Sequence, residues 1–296
     1  MDLKQLECFV RVAEFGSFTR AAAVLNMSQS AVSRQVRQLE VELCEHLLLR
    51  NGRSVLLTDA GRRFFNHGQG ILRQVQVARE ELREQRGSLS GKVVIGLPPS
   101  ISRRHTVALV SAFRERFPLC TLGIKEGLSH SMREWLLLGR LDFALLFNPS
   151  QSAQLHYEHL HAEPLMLIGS ADSNLPGQVP MRDLPNYPLI TPSEPHSIRR
   201  LIEAEAVRHS LALNVSLEID SIPALLELIH LGMGYGVLFQ SALARCDDSL
   251  EGFKVAQIVE PLIQTHLFIA TAQQRPLSRL ADQALAMVRE ICMPGA

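Results

Sequence analysis

The sequence predicts a multidomain chain: a winged helix-turn-helix (all-α with a small β wing), a long linker helix, and a two-lobed α/β domain. Three observations lead there. Two short helical segments parted by a tight turn span Ser17 to Leu39, and two short apolar runs around Arg50-Asn51-Gly52-Arg53 follow them. A long helix from residue 58 to about 86 then carries a four-three apolar repeat from Phe64 to Leu82. Beyond the Gly87-Ser88-Leu89-Ser90-Gly91 break, strand-like and helix-like segments alternate to the end.

Asp2 to Glu14 reads as a first helix, with Leu6, Phe9, Val10 and Ala13 turned inward as support. Ser17 can cap a second helix, because its hydroxyl can accept from a first-turn amide. Ala21, Ala22, Ala23 and Leu25 make that segment strongly helical, and Asn26-Met27 breaks it. Ser28 then caps a third helix, Gln29 to Leu39 or slightly beyond, whose Ala31, Val32, Val36 and Leu39 share one face. Ser28, Gln29, Ser30, Ser33, Arg34 and Arg37 are left outside. Phe15–Leu39 holds three arginines and no acidic residue. Such a face suits a major groove, where Arg and Gln bind base edges bidentately and free amides hold phosphate. A solvated face on an ordinary helical hairpin is the alternative. The next segment favours DNA: Leu47-Leu48-Leu49 and Val55-Leu56-Leu57 flank an Asn51-Gly52 turn, and Arg50 and Arg53 at its tip suit phosphate or minor-groove contact.

The run LECFVRVAEFGSFTRAAAVLNMSQSAVSRQVRQLE, followed by LLLRNGRSVLLTDAGRRF, resembles the winged helix-turn-helix of LysR-type transcriptional regulators. The match is dense over residues 1 to about 65 and looser, in its order of elements, over the rest. Ser30 stands where the family usually has proline. In the later part, IGLPPS, SIRRL and EIDSI…GMGYGVL are most similar to the nitrogen-assimilation-control branch. The resemblance implies a sequence-specific regulator on double-stranded promoter or operator DNA, with RNA polymerase as a further partner and a homotetramer built from dimers. It also implies a periplasmic-binding-protein-like effector domain, although that branch can act without a small-molecule effector.

The formal net charge is zero, which argues against a general polyanion binder. Residues 1–86 nevertheless hold 13 Lys+Arg against 10 Asp+Glu, and the remainder 17 against 20, a basic front on an acidic body. A hydrophobic content of 46% supports sizeable cores. The N-terminus runs directly into an amphipathic helix, and no apolar run is long enough to span a membrane, so a cytoplasmic location is expected. Cys8, Cys44, Cys120, Cys246 and Cys292 are dispersed, which suits buried thiols in a reducing compartment. Peroxide-sensing members of the family use a cysteine pair, and no comparable close pair occurs here. His156, His159 and His161 show no metal-ligand spacing and read as a surface loop, so no metal or cofactor is expected.

Thr58 is placed to cap the linker helix, with Asp59 in its first turn. Phe64, Ile71, Val75, Ala78 and Leu82 keep seam spacing, with Gly68 at the missing position. A helix of roughly 28 residues, about 42 Å long, cannot cover that stripe alone, so a homodimer through residues 58–86 is expected, with a core helix inside one domain as the alternative. The domains are then 1–58 for DNA binding, 59–87 for the linker and 88–296 for the effector domain. Lobe I comprises 92–162 and 266–296, and lobe II 163–265.

Strands are expected at Lys92–Leu97, Thr121–Glu126 and Leu141–Phe147, with helices at Arg104–Phe117 and Ser129–Leu138. Pro164–Gly169 leads to a second alternating lobe, and Leu267–Thr271 with Ser278–Cys292 returns. Ligands of open parallel sheets collect at C-terminal strand ends. Ser100, Ile101 and Ser102, then Leu128 and Ser129, then Thr191 and Ser193 lie at three such ends, with Phe147 as an apolar wall. Hydroxyls and amides there suit a carboxylate, with Arg103 and Arg104 close by; simple helix capping is the alternative. An enzyme carrying a winged helix was weighed against a regulator. The sequence contains no nucleophile elbow, Walker loop, HExxH or paired cleft carboxylates, and Gly232, Gly234 and Gly236 lack nucleotide-loop spacing, so no catalytic residue is expected.

Overall fold

The computed structural model describes residues 1–51, 54–84, 89–239, 242 and 252–293, with the backbone alone at 50, 51, 54 and 80–84. Gly52, Arg53, the side chains of Arg50 and Leu82, residues 87–88 of the linker, and Cys246 lie outside the described residues.

Capping fixes the starts of the first helices. Helix α1 (Leu3–Phe15) opens on a capping box in which Asp2 accepts from the Gln5 amide and Gln5 from the Asp2 amide. Helix α2 (Phe18–Val24) is capped by Ser17, and α3 (Gln29–Leu43) by Ser28, which accepts from the Ala31 amide at 3.1 Å. Leu6, Phe9, Val10, Val32, Val36 and Leu39 form a buried core with Ala21, Ala22 and Leu47. Cys8 and Val12 also lie in it, while Ala13 is only half-buried. The buried face of α1 is wider than one stripe because α3 and α4 pack on either side.

Strands β1 (Leu48–Asn51) and β2 (Ser54–Leu57) pair with Asn51 opposite Ser54. The connection is therefore residues 52–53, one position later than the expected Asn51-Gly52 turn. Glu40 of α3 holds the wing, its Oε1 accepting from the Leu47 and Leu48 amides at 2.8 and 3.1 Å. Thr58 caps α4 (Asp59–Glu84), accepting from the Gly61 amide while donating to the His46 carbonyl.

The stripe expected as one continuous seam on α4 divides. Phe64 packs on Phe9 with ring centroids 5.4 Å apart, and Gly68 lies against Leu6 and Val10, so this half belongs to the chain's own core. Ile71 is 41% exposed, Ala78 is exposed and Val75 is half-buried. A third face meets the α/β domain: Arg140 donates to Asn66 at 2.9 Å, and Arg73 pairs with Asp142 at 2.8 Å with both side chains near 10% exposure (10% and 12%). Gly70 sits between these contacts, where any Cβ would overlap the Leu138 carbonyl.

Past the linker, β3 (Gly91–Leu97), α5 (Pro99–Arg116), β4 (Cys120–Glu126), α6 (Ser129–Leu137) and β5 (Phe143–Phe147) form a run of parallel strands with intervening helices. Helix α5 begins five residues before the expected Arg104, because Pro99 suits the first helical position. Ser100, Ile101 and Ser102 thus lie in a first turn, not in a loop. Strand β6 (Leu155–Ser170) is shared by both lobes. Its first part pairs with β12 (Gln264–Ala272), and its last residues pair with β10 (Tyr235–Phe239) and β11 (Phe253–Val259). His156, His159 and His161 lie in β6 rather than a surface loop: His159 contacts His266 on β12 at 3.2 Å, and His161 contacts Glu163 at 3.1 Å.

Lobe II adds β7 (Gln178–Pro180), a 3-10 helix (Met181–Asn186), β8 (Leu189–Thr191), α7 (Ser197–Arg208), β9 (Val215–Glu218) and α8 (Ile222–His230). Its sheet runs β6-β10-β8-β9, with β11 and β7 joined at the side. Strands β7 and β11 were not expected from sequence. Helix α9 (Arg279–Cys292) closes the chain against α5 and β3.

Gly70→Ala tests the contact of α4 with lobe I. Helix propensity alone favours alanine by about 1 kcal/mol, whereas the overlap with Leu138 carries an overpacking cost of about 1–3 kcal/mol. The expected outcome in urea unfolding is a lower midpoint; a raised midpoint would show that α4 is not held against Leu138.

Candidate functional site

Helix α3 presents Gln29, Ser30, Arg34 and Arg37 exposed, with Ser33 partly so, on the side opposite Val32, Val36 and Leu39. Ser30 contacts Ser28 hydroxyl to hydroxyl at 3.1 Å, so the residue found in place of the family's proline joins the cap. Of the wing arginines, Arg50 is described by its backbone on β1 alone.

A cavity of about 540 Å³ opens between the two lobes. Four helices begin on it: Pro98, Leu128, His196 and Ser221, the residues preceding α5, α6, α7 and α8, all line it. Phe147 at the end of β5 and Phe239 at the end of β10 meet at 4.8 Å across the lobes. Arg103 of α5 donates to the Ala242 carbonyl at 2.5 Å, a second bridge between lobes.

Ser100, Leu128, Ser129, Phe147 and Ser193 line the cavity. Ile101 is buried, Ser102 contacts Thr106, and Thr191 is 3% exposed with its hydroxyl accepting from Arg199; none of the three is in the lining. The lining hydroxyls are also engaged. Ser129 donates to the Phe147 carbonyl and accepts from its amide, both at 3.1 Å. Ser193 donates to Asp220 at 2.5 Å, and its amide donates to the same oxygen at 3.0 Å. Those bonds, led by the hydroxyl, hold Asp220 below the usual carboxylate range. Burial lowers His196, with Asp220 opposing, which favours the neutral ring that caps α7. Asp220, His196, Glu194 and Phe239 escaped the sequence reading, which took three strand-to-helix handovers. The fourth, Ile219-Asp220-Ser221 between β9 and α8, carries the same signal.

Residues 3–62 match the family described as "Bacterial regulatory helix-turn-helix protein, lysR family", and residues 86–293 match "LysR substrate binding domain".

The chain belongs to the LysR family.

It is a LysR-type DNA-binding transcriptional regulator with an effector-binding domain. The nitrogen assimilation regulatory protein nac of Escherichia coli is 34% identical over 99% of this chain and 94% of its own length. The regulator BbuR of Bordetella bronchiseptica is 30% identical over 100% of this chain and 92% of its own. Both relatives are named as regulators, not enzymes. Among solved structures, full-length OxyR from Pseudomonas aeruginosa superposes with a TM-score of 0.76 at 25% identity, covering 99% and 95% of the two chains. Full-length CbnR in complex with its target DNA gives 0.72 at 20% identity, covering 99% and 100%.

In this LysR regulator no group of three or more His, Cys, Asp or Glu among the described residues is placed to hold a metal. No described helix is long and apolar enough to cross a membrane. Cys8 and Cys292 are buried, and burial pushes the Cys292 thiol up to about 12. Cys44 is exposed, against the expectation of uniformly buried thiols, because it sits at the C-terminus of α3 beyond the core face.

Ser129→Ala separates structure from ligand contact. It strands the Phe147 amide and carbonyl, so a stability loss of about 1–3 kcal/mol is expected without any ligand. Unchanged thermal unfolding would show that the Ser129 hydroxyl is free for a ligand.

Proposed function

We propose that this regulator reads its operator through Gln29, Ser33, Arg34 and Arg37 in the major groove, with Ser28 and Ser30 near phosphate. Arg50 and Arg53 of the wing then contact the backbone or minor groove. The observation that carries this is the capped, acid-free start of α3, whose exposed side chains are polar or cationic while Val32, Val36 and Leu39 are consumed by the core. The bare face of α4, with Ile71 and Ala78 exposed, supports a homodimer, and family likeness supports a homotetramer of such dimers working in the cytoplasm with RNA polymerase. A small carboxylate-bearing effector between the lobes would act by preferring one lobe arrangement, with a coupling of about 1–3 kcal/mol.

Arg34→Ala is expected to cost about 1–3 kcal/mol on the specific duplex and little on a scrambled one. Arg53→Ala should weaken both and flatten the salt dependence. Titrations at several salt concentrations check this; equal losses on both duplexes for Arg34→Ala would remove its base-reading role.

Ile71→Asp sets a charge on the bare face of α4. If two copies meet there, the unpaired charge costs several kcal/mol, on the order of 3–5. Sedimentation should then report smaller species and lost operator binding, whereas an unchanged mass would move the dimer contact elsewhere.

A further inference from the structure

The two walls of the interlobe cavity differ in how their helices begin. On lobe I, α5 and α6 receive no side-chain cap: Pro98 and Leu128 stand at the capping positions, and both helices open onto the cavity. Their first-turn amides, from Ser100 on α5 and Ser129 on α6, are therefore left for a ligand or water. On lobe II both helix starts are capped from within, α7 by the His196 ring and α8 by the Ser221 hydroxyl. That wall instead exposes the Asp220 carboxylate, whose Oδ1 takes both bonds from Ser193. Oδ2 has no hydrogen-bond partner among the described residues, and a carboxylate accepts about four bonds.

The charged side chains modify this contrast without reversing it. Arg103 and His130 line the lobe I wall together with Glu126, and Glu194 lines the lobe II wall together with Arg200. Arg103 already donates to Ala242. Each wall thus carries both signs in its long side chains, and the fixed groups decide: amide donors on one side, an aligned carboxylate on the other. Between them the floor is apolar, formed by Leu128, Phe147, Leu238 and Phe239.

We propose that the cleft takes a bipolar ligand of the α-amino-acid class with an apolar side chain, its carboxylate at the starts of α5 and α6 and its ammonium group on Asp220. This rests on the reading of the cleft as the effector site and narrows the effector from a carboxylate to a zwitterion. A plain carboxylate would use only the lobe I amides; an ammonium group adds the exposed Asp220 carboxylate as a recognising element.

The test uses the full-length protein and matched probes: L-leucine, 4-methylpentanoate and 3-methylbutylamine, then L-phenylalanine, 3-phenylpropanoate and 2-phenylethylamine. Calorimetric titration should find one amino acid bound, with loss of either charge weakening it at least about tenfold, as for a charged hydrogen bond. Asp220→Asn should weaken the amino acid similarly and leave the des-amino acid unchanged, and Asp220→Glu should restore the preference. Circular dichroism of both variants reports their folding. Equal affinity for amino acid and des-amino acid, indifferent to Asp220→Asn, would overturn the bipolar ligand while leaving the cleft a carboxylate site. Binding that survives both Asp220→Asn and a cavity-filling Ser100→Trp would overturn the cleft reading as well. No heat with any of the six probes overturns the proposal.

Discussion

One cylinder has to satisfy three surfaces. Helix α4 gives Phe64 and Gly68 to its own DNA-binding head, Asn66, Gly70 and Arg73 to lobe I, and leaves Ile71 and Ala78 exposed with Val75 half-buried between them. An apolar strip of that kind on a helix gains by being covered. A second copy of the same helix offers the same strip, and a two-fold contact between copies is the commonest closed solution. The proposed pairing of the heads, and through it the geometry of the bound DNA, rests on this single constraint.

The lobe I face of α4 gives the effector domain a mechanical hold on the head. Arg73 and Asp142 are nearly buried, and Asp142 also accepts from the Val94 amide of β3 at 2.6 Å. Removing one partner alone would leave the other charge buried and unpaired, a cost of about 3–5 kcal/mol. Strand β6 is common to both sheets and joins lobe II to the lobe that packs on α4.

Much of this was legible in the residues. Ser17, Ser28 and Thr58 announced their helix starts because a hydroxyl cap is a local, side-chain-encoded signal. The βαβ alternation was equally local. What failed depended on partners distant in sequence. The stripe on α4 looked uniform, yet Phe64 and Gly68 are claimed by α1, about 55 residues earlier, whereas Ile71 is not. Ser129 and Ser193 stood at the right strand ends, but their hydroxyls are spent on Phe147 and Asp220, a fact only tertiary packing reveals. Thr191 occupied an equivalent place in the chain and is sealed beneath Arg199. Gly70 lowers the helix propensity of α4 locally, yet it is the residue that lets α4 approach the Leu138 carbonyl.

The central claim is that two copies of this chain, joined through α4, present two α3 helices to one operator. Selection of random-sequence duplexes by the full-length protein, followed by sequencing of the bound pool, tests it most directly. Two-fold pairing predicts an enriched motif with dyad symmetry, its half-sites separated by about one helical turn or a multiple of it. A pool without enrichment, or a motif lacking symmetry, would contradict the account.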